Sequence, residues 1–199
     1  MKLFHFPGTR GARVIWAAHE VGADLDVQLV DVRQGQHKTP EYLRRHPHGK
    51  VPAAEIGGDS YFESCALALH LAERHGSADF VPSSGARRLR ALNLSFYAAC
   101  ELDPVVVPAF LHSFVIPEER RKPEVVEAHT ATMREVIVPY LSGVLGDQDF
   151  LLGDHITIAD VNVGYDLALM ARLGVLDERL GGLVARLASR PGFQAAFPG

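Results

Sequence analysis

Between Arg44 and Glu73 the chain reads RRHPHGKVPAAEIGGDSYFESCALALHLAE. A short strand follows the Val51-Pro52 bond, a Gly-Gly-Asp-Ser hairpin turns it, and a second strand leads into a helix opened by Glu63-Ser64. Pro52 removes a backbone donor at a strand start, where a sheet tolerates the loss. An X-Pro bond is also the only common site of a cis peptide. Such a strand presents unpaired backbone groups that accept an extended peptide as an extra strand. A few residues on, a helix N-terminus bearing Ser64 offers N–H groups to a carboxylate. Backbone pairing beside carboxylate capture points to a small peptide ligand.

These groups need elements to position them. KLFHF predicts a strand, PGTRG a turn, and RVIWAAHEVG a helix ending at Gly22. Asp26 to Val32 predicts a second strand. Thr39 caps a short helix with Pro40 at its first position. Strands over 51–56 and 61–63 follow, then a helix to about Arg74. The order βαβ then ββα matches an α/β thioredoxin-like unit with one parallel and one antiparallel pairing. Composition shifts across 77–85, which reads as a linker, and helical spacing takes over beyond it. The division is therefore an α/β domain over 1–76, a linker over 77–85 and an all-α domain over 86–199.

In the second half, Met133, Val136, Ile137, Tyr140, Leu141 and Val144 follow helical spacing, with Pro139 predicting a kink or an early end. Asp103-Pro104 and Pro108 imply a bent helix. Thr157-Ile-Ala-Asp160 reads as a capping box with Asp in the acidic place, and its role is structural.

Composition narrows the function classes. At 199 residues, 47% apolar and 22% charged, the chain can bury a real core. A formal charge of −4 gives no reason to expect nucleic acid or an anionic membrane as partner. No apolar run reaches membrane-spanning length, and the apolar part of MKLFHFPGTRG is too short for a signal peptide. The two cysteines, Cys65 and Cys100, form no metal or disulfide pattern. Together these features read as a protein of a reducing cytoplasm.

The ensemble Pro47, Gly49, Val51, Pro52, Glu63 and Ser64 resembles the glutathione-binding half of the glutathione S-transferases. GQHKTPEYL upstream and Thr-Ile-Ala-Asp downstream extend the resemblance over most of the chain. GQHKTPEYL and HPHGKVPA are similar to segments of plant phi-class and insect or theta-like members. The resemblance implies glutathione as co-substrate, a hydrophobic electrophile, a homodimer, no metal, and a role in detoxification. It implies a cis Pro52, with Val51 exchanging backbone hydrogen bonds with the cysteinyl unit. Ser64 suits the γ-glutamyl carboxylate or serves as an N-cap, and both can hold; Glu63 helps at the same end. His37, Lys38 and Lys50 are the candidates for the glycyl carboxylate.

The family stabilises the glutathione thiolate with a hydroxyl or thiol near the entrance to the first helix, which falls here on Thr9. The alternative for Thr9 is a cap on that helix. MKLF..PG opens like a bacterial beta-class enzyme, but the beta-class Cys position holds Arg10 and its His position holds Asp103. The tyrosine of the animal classes falls near His5 or Phe6. The chain thus reads as a bacterial member of serine/threonine type, or phi/theta-like. Arg10 either assists the thiolate, binds a carboxylate or is solvated, and Arg13 reads as a structural ion-pair partner. The electrophile pocket is expected between the domains. The rival reading is a non-catalytic glutathione-binding or protein-interaction module on the same fold. A redox protein is disfavoured by the lack of Cys-x-x-Cys.

Overall fold

A computed structural model of the chain describes residues 1–197. The chain divides into two compact units. One takes in residues 1–81 together with residues 190–197, and the other spans 82–189.

In the first unit, β1 (Lys2–His5), α1 (Ala12–Val21) and β2 (Asp26–Leu29) form the βαβ crossover; α2 (Pro40–Leu43), β3 (Ala53–Ile56), β4 (Asp59–Phe62) and α3 (Ser64–His75) follow. The four strands lie in the order β2-β1-β3-β4. β1 runs parallel to β2 and antiparallel to β3, and β4 is antiparallel to β3. Two departures from the sequence expectation have local causes. β2 stops at Leu29 because the Asp31 carboxylate accepts the N–H groups of Arg33 and Gln34 and turns the chain. Val51 and Pro52 stand ahead of β3 rather than within it, and β3 is an interior strand paired on both sides.

Alternation along the strands builds a core on each face of the sheet. Leu3 and Ala54 pack with Val14 and Ala18 of α1 and with Leu67 and Leu71 of α3. Their neighbours Phe4 and Ala53 point the other way and pack with Val30, Tyr42 and Val51. The i, i+4 spacing of the helical partners gives each helix one apolar stripe against the sheet. Gly22 ends α1 in the left-handed region at φ 63°, as its position in the sequence implies. Thr39 accepts the Tyr42 N–H at 3.3 Å and Pro40 opens α2.

Residues 86–199 were expected to form one helical domain. Instead, α10 (Pro191–Ala196) belongs with the first unit and packs on α1. Arg190 donates two hydrogen bonds to the Glu20 carboxylate, at 2.8 and 2.6 Å, and the Trp16 indole N–H reaches the same carboxylate at 3.0 Å. Phe193 meets Trp16 edge to face at 5.1 Å. Gly192 allows this approach, since a Cβ there would lie 2.8 Å from Trp16 Cδ1.

The second unit contains α4 (Gly85–Tyr97), α5 (Asp103–Phe110), α6 (Pro123–Thr132), α7 (Val138–Leu145), α8 (Ile158–Arg172) and α9 (Glu178–Ala188). The expected bend and early end do not break these helices. Widened π turns at Ala98–Leu102 and Leu111–Val115 make α4 and α5 one run of 31 residues, and a third at Met133–Ile137 joins α6 to α7. Proline lacks an N–H, and its ring meets the carbonyl four residues back. For Pro104 that carbonyl is on Cys100 and for Pro139 on Glu135, each inside a π turn. The wider turn absorbs the clash. The 31-residue helix is long and apolar enough to cross a bilayer by length and composition. It reaches that length only by continuing through its prolines, and α8 packs along it.

The capping box forms at the head of α8. Asp160, without solvent exposure, accepts from the Thr157 N–H and hydroxyl, both at 2.8 Å, and from the Leu151 N–H at 2.8 Å. The sequence shows the first of these links; the bond to Leu151 depends on how the preceding loop folds back. Asp160→Ala strands two buried backbone donors and removes the cap, so it should cost about 3 kcal/mol or more. Urea unfolding followed by helical circular dichroism measures this. A loss under about 0.5 kcal/mol, the range of an ordinary surface change, would show that the box does not hold α8.

Candidate functional site

α3 begins at Ser64, with Glu63 in the N-cap place. Among the described residues Glu63 is the one non-glycine with positive φ, 75°. Holding a glutamate there costs on the order of 1–3 kcal/mol, at the residue that joins β4 to the 12-residue helix. Ser64 is therefore the first helical residue and not the cap. Its hydroxyl accepts from the Arg13 guanidinium at 3.1 Å. Arg13 has no solvent exposure.

The sequence marks Arg13 as a structural ion-pair partner, and the structure also joins it to the predicted carboxylate anchor. A signal was present: Arg13 lies three and four residues before Trp16 and Ala17, both buried, and so shares the inward stripe of α1. That contact sets a guanidinium against Ser64 at the head of α3, whose backbone N–H groups favour an anion.

The Val51-Pro52 bond is cis, as the family resemblance implies. Val51 is buried and stands two residues ahead of the first β3 pairings, Phe4–Ala53 and Ala53–Phe62. The expectation of a free strand edge is thus narrowed: β3 is filled on both sides, and only its approach at Val51 lies outside the ladder.

The loop over 46–50 is bound to the turn over 36–38. A Cβ on Gly49 would sit 2.6 Å from the His37 carbonyl oxygen, and Gly49 has φ 54°, so glycine is required on both counts. Lys38 donates to the His48 carbonyl at 3.1 Å. Lys50 is exposed, while its carbonyl accepts the Tyr42 hydroxyl at 2.8 Å. Burial pushes the Tyr42 phenol up to about 12, against the pull of Arg45. The His37 Nδ1 is buried without a hydrogen-bond partner. Of the three candidates for the second carboxylate, Lys38 thus has a structural task, whereas His37 and Lys50 keep side-chain groups in reserve.

Thr9 lies in the turn ahead of α1, whose N-cap is Gly11. Its carbonyl accepts the Ala12 N–H, and its hydroxyl donates to the Phe6 carbonyl at 2.6 Å. Thr9 is one turn upstream of Arg13, and Arg13 touches Ser64. Arg10, Lys50 and Glu63 all act on His46 through their charges. The 46–52 segment is thus tied to the turn over 36–38, its His46 feels the charge of Glu63, and Ser64 is tied through Arg13 to the helix that follows Thr9. His46 itself escaped the sequence reading, because a histidine in a polar loop carries no periodic signal.

His5, the last residue of β1, is 5% exposed, with Nδ1 unpartnered. The backbone of Gly11 covers it so closely that a Cβ there would fall 2.2 Å from Nδ1. Burial lowers the imidazole to about 4 from 6.5.

Two family descriptions match the chain: the glutathione S-transferase N-terminal domain over residues 1–73 and the corresponding C-terminal domain over 102–181. A glutathione S-transferase of Zea mays is 29% identical, with 100% of this chain and 95% of that protein aligned. One from Triticum aestivum is 30% identical over 81% of this chain and 76% of its own length. A theta-class glutathione S-transferase from Xanthomonas axonopodis pv. citri, solved with glutathione bound, superposes with a TM-score of 0.86 at 21% identity, covering 100% of this chain and 97% of that one. At that identity the likeness is one of fold.

The histidine gives a pH prediction. The folded state keeps His5 neutral, whereas the unfolded chain takes up a proton near 6.5. Stability from His5 is full above pH 6.5 and is lost as pH falls to about 4, a change on the order of 3 kcal/mol. Burial raises Asp160 from 3.8 to about 6, so that group works in the opposite sense over the same range. The check is urea unfolding followed by fluorescence of Trp16, the one tryptophan, comparing wild type with His5→Gln. The stability difference should change steadily between pH 6.5 and 4; a constant difference would contradict it.

Proposed function

The chain belongs to the glutathione S-transferase family, and from that premise we propose that it joins the glutathione thiol to hydrophobic electrophiles at a site built from Thr9, Val51 and Ser64. The observation that carries the site assignment is the buried Arg13 guanidinium against Ser64 at the first turn of α3. An anchor of this kind suits the α-carboxylate of a γ-glutamyl group.

In this reading the γ-glutamyl carboxylate accepts from the Ser64 hydroxyl and the α3 backbone, and Glu63 takes the ammonium group. Val51 exchanges backbone hydrogen bonds with the cysteinyl unit, next to the cis Pro52. His37 and Lys50 meet the glycyl carboxylate, Lys50 as a mobile point charge. These contacts hold the sulfur in place, so that attack on an electrophilic carbon is effectively intramolecular. Thr9 donates its hydroxyl hydrogen bond to the sulfur as the thiol proton passes to solvent; the thiolate then forms the carbon–sulfur bond and expels the leaving group or opens a strained ring. We place the enzyme in the cytoplasm as a homodimer, with domain limits at 1–76 and 86–199 apart from the returning α10.

Calorimetric titration with glutathione tests this assignment. Wild type should bind, and Ser64→Ala should lose about 1.5–3 kcal/mol, the worth of a hydrogen bond to a charged group. Thr9→Val should bind nearly as wild type, yet fail to release a proton on binding at neutral pH and lose transfer to an aryl halide. Glutathione binding without thiol ionisation in wild type would favour the non-catalytic module, and no binding at millimolar glutathione would overturn the ligand.

A further inference from the structure

The segment carrying Lys50, Val51 and Pro52 is fastened at two points. Tyr42 holds its far end through the Lys50 carbonyl at 2.8 Å. His46 holds its near end. The His46 N–H donates to the Tyr42 carbonyl at 3.0 Å, and its carbonyl accepts the Gly49 N–H at 2.8 Å. The residue is 4% exposed, and its ring stacks on Phe62 of β4 at 4.5 Å. The ring Nδ1 accepts the His48 N–H at 3.3 Å.

That last bond fixes the tautomer. An accepting Nδ1 carries no hydrogen, so the neutral ring holds its proton on Nε2. A second proton can enter only at Nδ1, the atom that holds His48. Charged groups face the ring from each neighbouring element: Arg10 from the turn before α1, Glu63 from the head of α3, and His48 and Lys50 from the loop itself. Burial favours the neutral ring, Glu63 opposes it, and His48, Lys50 and Arg10 add to the effect of burial. The ring is therefore neutral above the ordinary histidine value of 6.5 and takes its proton below it.

We propose that His46 is a positioning residue for the 46–52 segment, and that a proton taken up at its Nδ1 releases the His48 amide and weakens capture of the thiol peptide at Lys50 and Val51. The inference rests on the glutathione reading of this site and adds a pH gate to it. His46 touches neither sulfur nor electrophile in this scheme; it acts by holding the loop that does the binding.

Two readouts on three proteins test it: wild type, His46→Asn and His46→Leu. Asparagine keeps an oxygen that accepts the His48 amide but cannot take the proton, whereas leucine can do neither. Glutathione affinity of wild type should fall about fivefold or more between about pH 7.5 and about pH 5.5. His46→Asn should show a clearly shallower fall, keeping the part that ionisation of the bound thiol contributes, and should recover most of the affinity lost in His46→Leu. Amide hydrogen exchange over residues 46–51 provides the ligand-free readout. At acid pH wild type should exchange faster than His46→Asn measured at the same pH, with His46→Leu fast throughout. The proposal is overturned if His46→Asn keeps the full wild-type slope, or if exchange in this segment is the same in all three. The exchange result stands whether or not glutathione binds, so loss of the ligand assignment and loss of the gate are distinguishable.

Discussion

The contact between Arg13 and Ser64 is the constraint on which the rest of the first unit turns. Removing a guanidinium from water is costly unless its hydrogen-bonding groups are met. Arg13 has no exposed surface and donates to the Ser64 hydroxyl at 3.1 Å. This fixes the first turn of α1 against the first turn of α3. Both helices also lie on the Leu3 face of the sheet, through Val14 and Ala18 on one and Leu67 and Leu71 on the other. Apolar packing sets the distance between the helices, and the polar contact sets their registry. Without it, α3 could slide along the same stripe and carry Ser64 away from the turn that bears Thr9.

The sheet imposes a second condition. Its opposite face is covered by α2 and the loops around it, through Phe4, Tyr42 and Val51. Tyr42 is therefore both a core residue and, through its hydroxyl, the clasp of the Lys50 carbonyl. Arg45 reinforces this face with bonds to Glu55 at 2.7 Å and Glu41 at 3.1 Å, its guanidinium 4.6 Å from the Phe4 ring centre. Stability and the placement of the Lys50–Val51 segment are thus built from the same side chains. A change meant to alter the loop reaches the core, and a change in the core reaches the loop.

Signals that act within a few residues were legible in the sequence. The Gly22 stop, the Thr39-Pro40 start, the hairpin and the Thr157–Asp160 box depend on local backbone chemistry, and each is present. The family resemblance supplied the cis bond, which spacing alone does not. Long-range pairings were not legible. Nothing near residue 190 announces a return to Glu20, since the two are 170 residues apart. Nothing near residue 13 names Ser64, 51 positions on. The prolines misled for a related reason. A local rule ends or kinks the helix at Pro139, but burial of Met133, Ile137 and Leu141 on one side rewards continuation, and a π turn settles the conflict.

In the proposed site the Thr9 hydroxyl already has a partner, and that partner sets the energetics of the step assigned to it. Its hydroxyl hydrogen points at the Phe6 carbonyl, 2.6 Å away, so donation to a sulfur is an exchange of partners and not a free gain. A neutral hydrogen bond is worth about 0.5–1.5 kcal/mol net, and one to a charged acceptor about 1.5–3. A thiol, being neutral, offers no reason for the hydroxyl to leave the carbonyl. A thiolate does, by roughly 1–1.5 kcal/mol. The difference corresponds to about one pKa unit, applied only to the ionised form. That is the selectivity required of a group meant to favour ionisation without binding the un-ionised peptide more tightly. In the proposed scheme the N-terminal end of α1 adds positive potential on the same side. It strengthens the preference for thiolate and leaves the exchange at Thr9 to set where the charge rests.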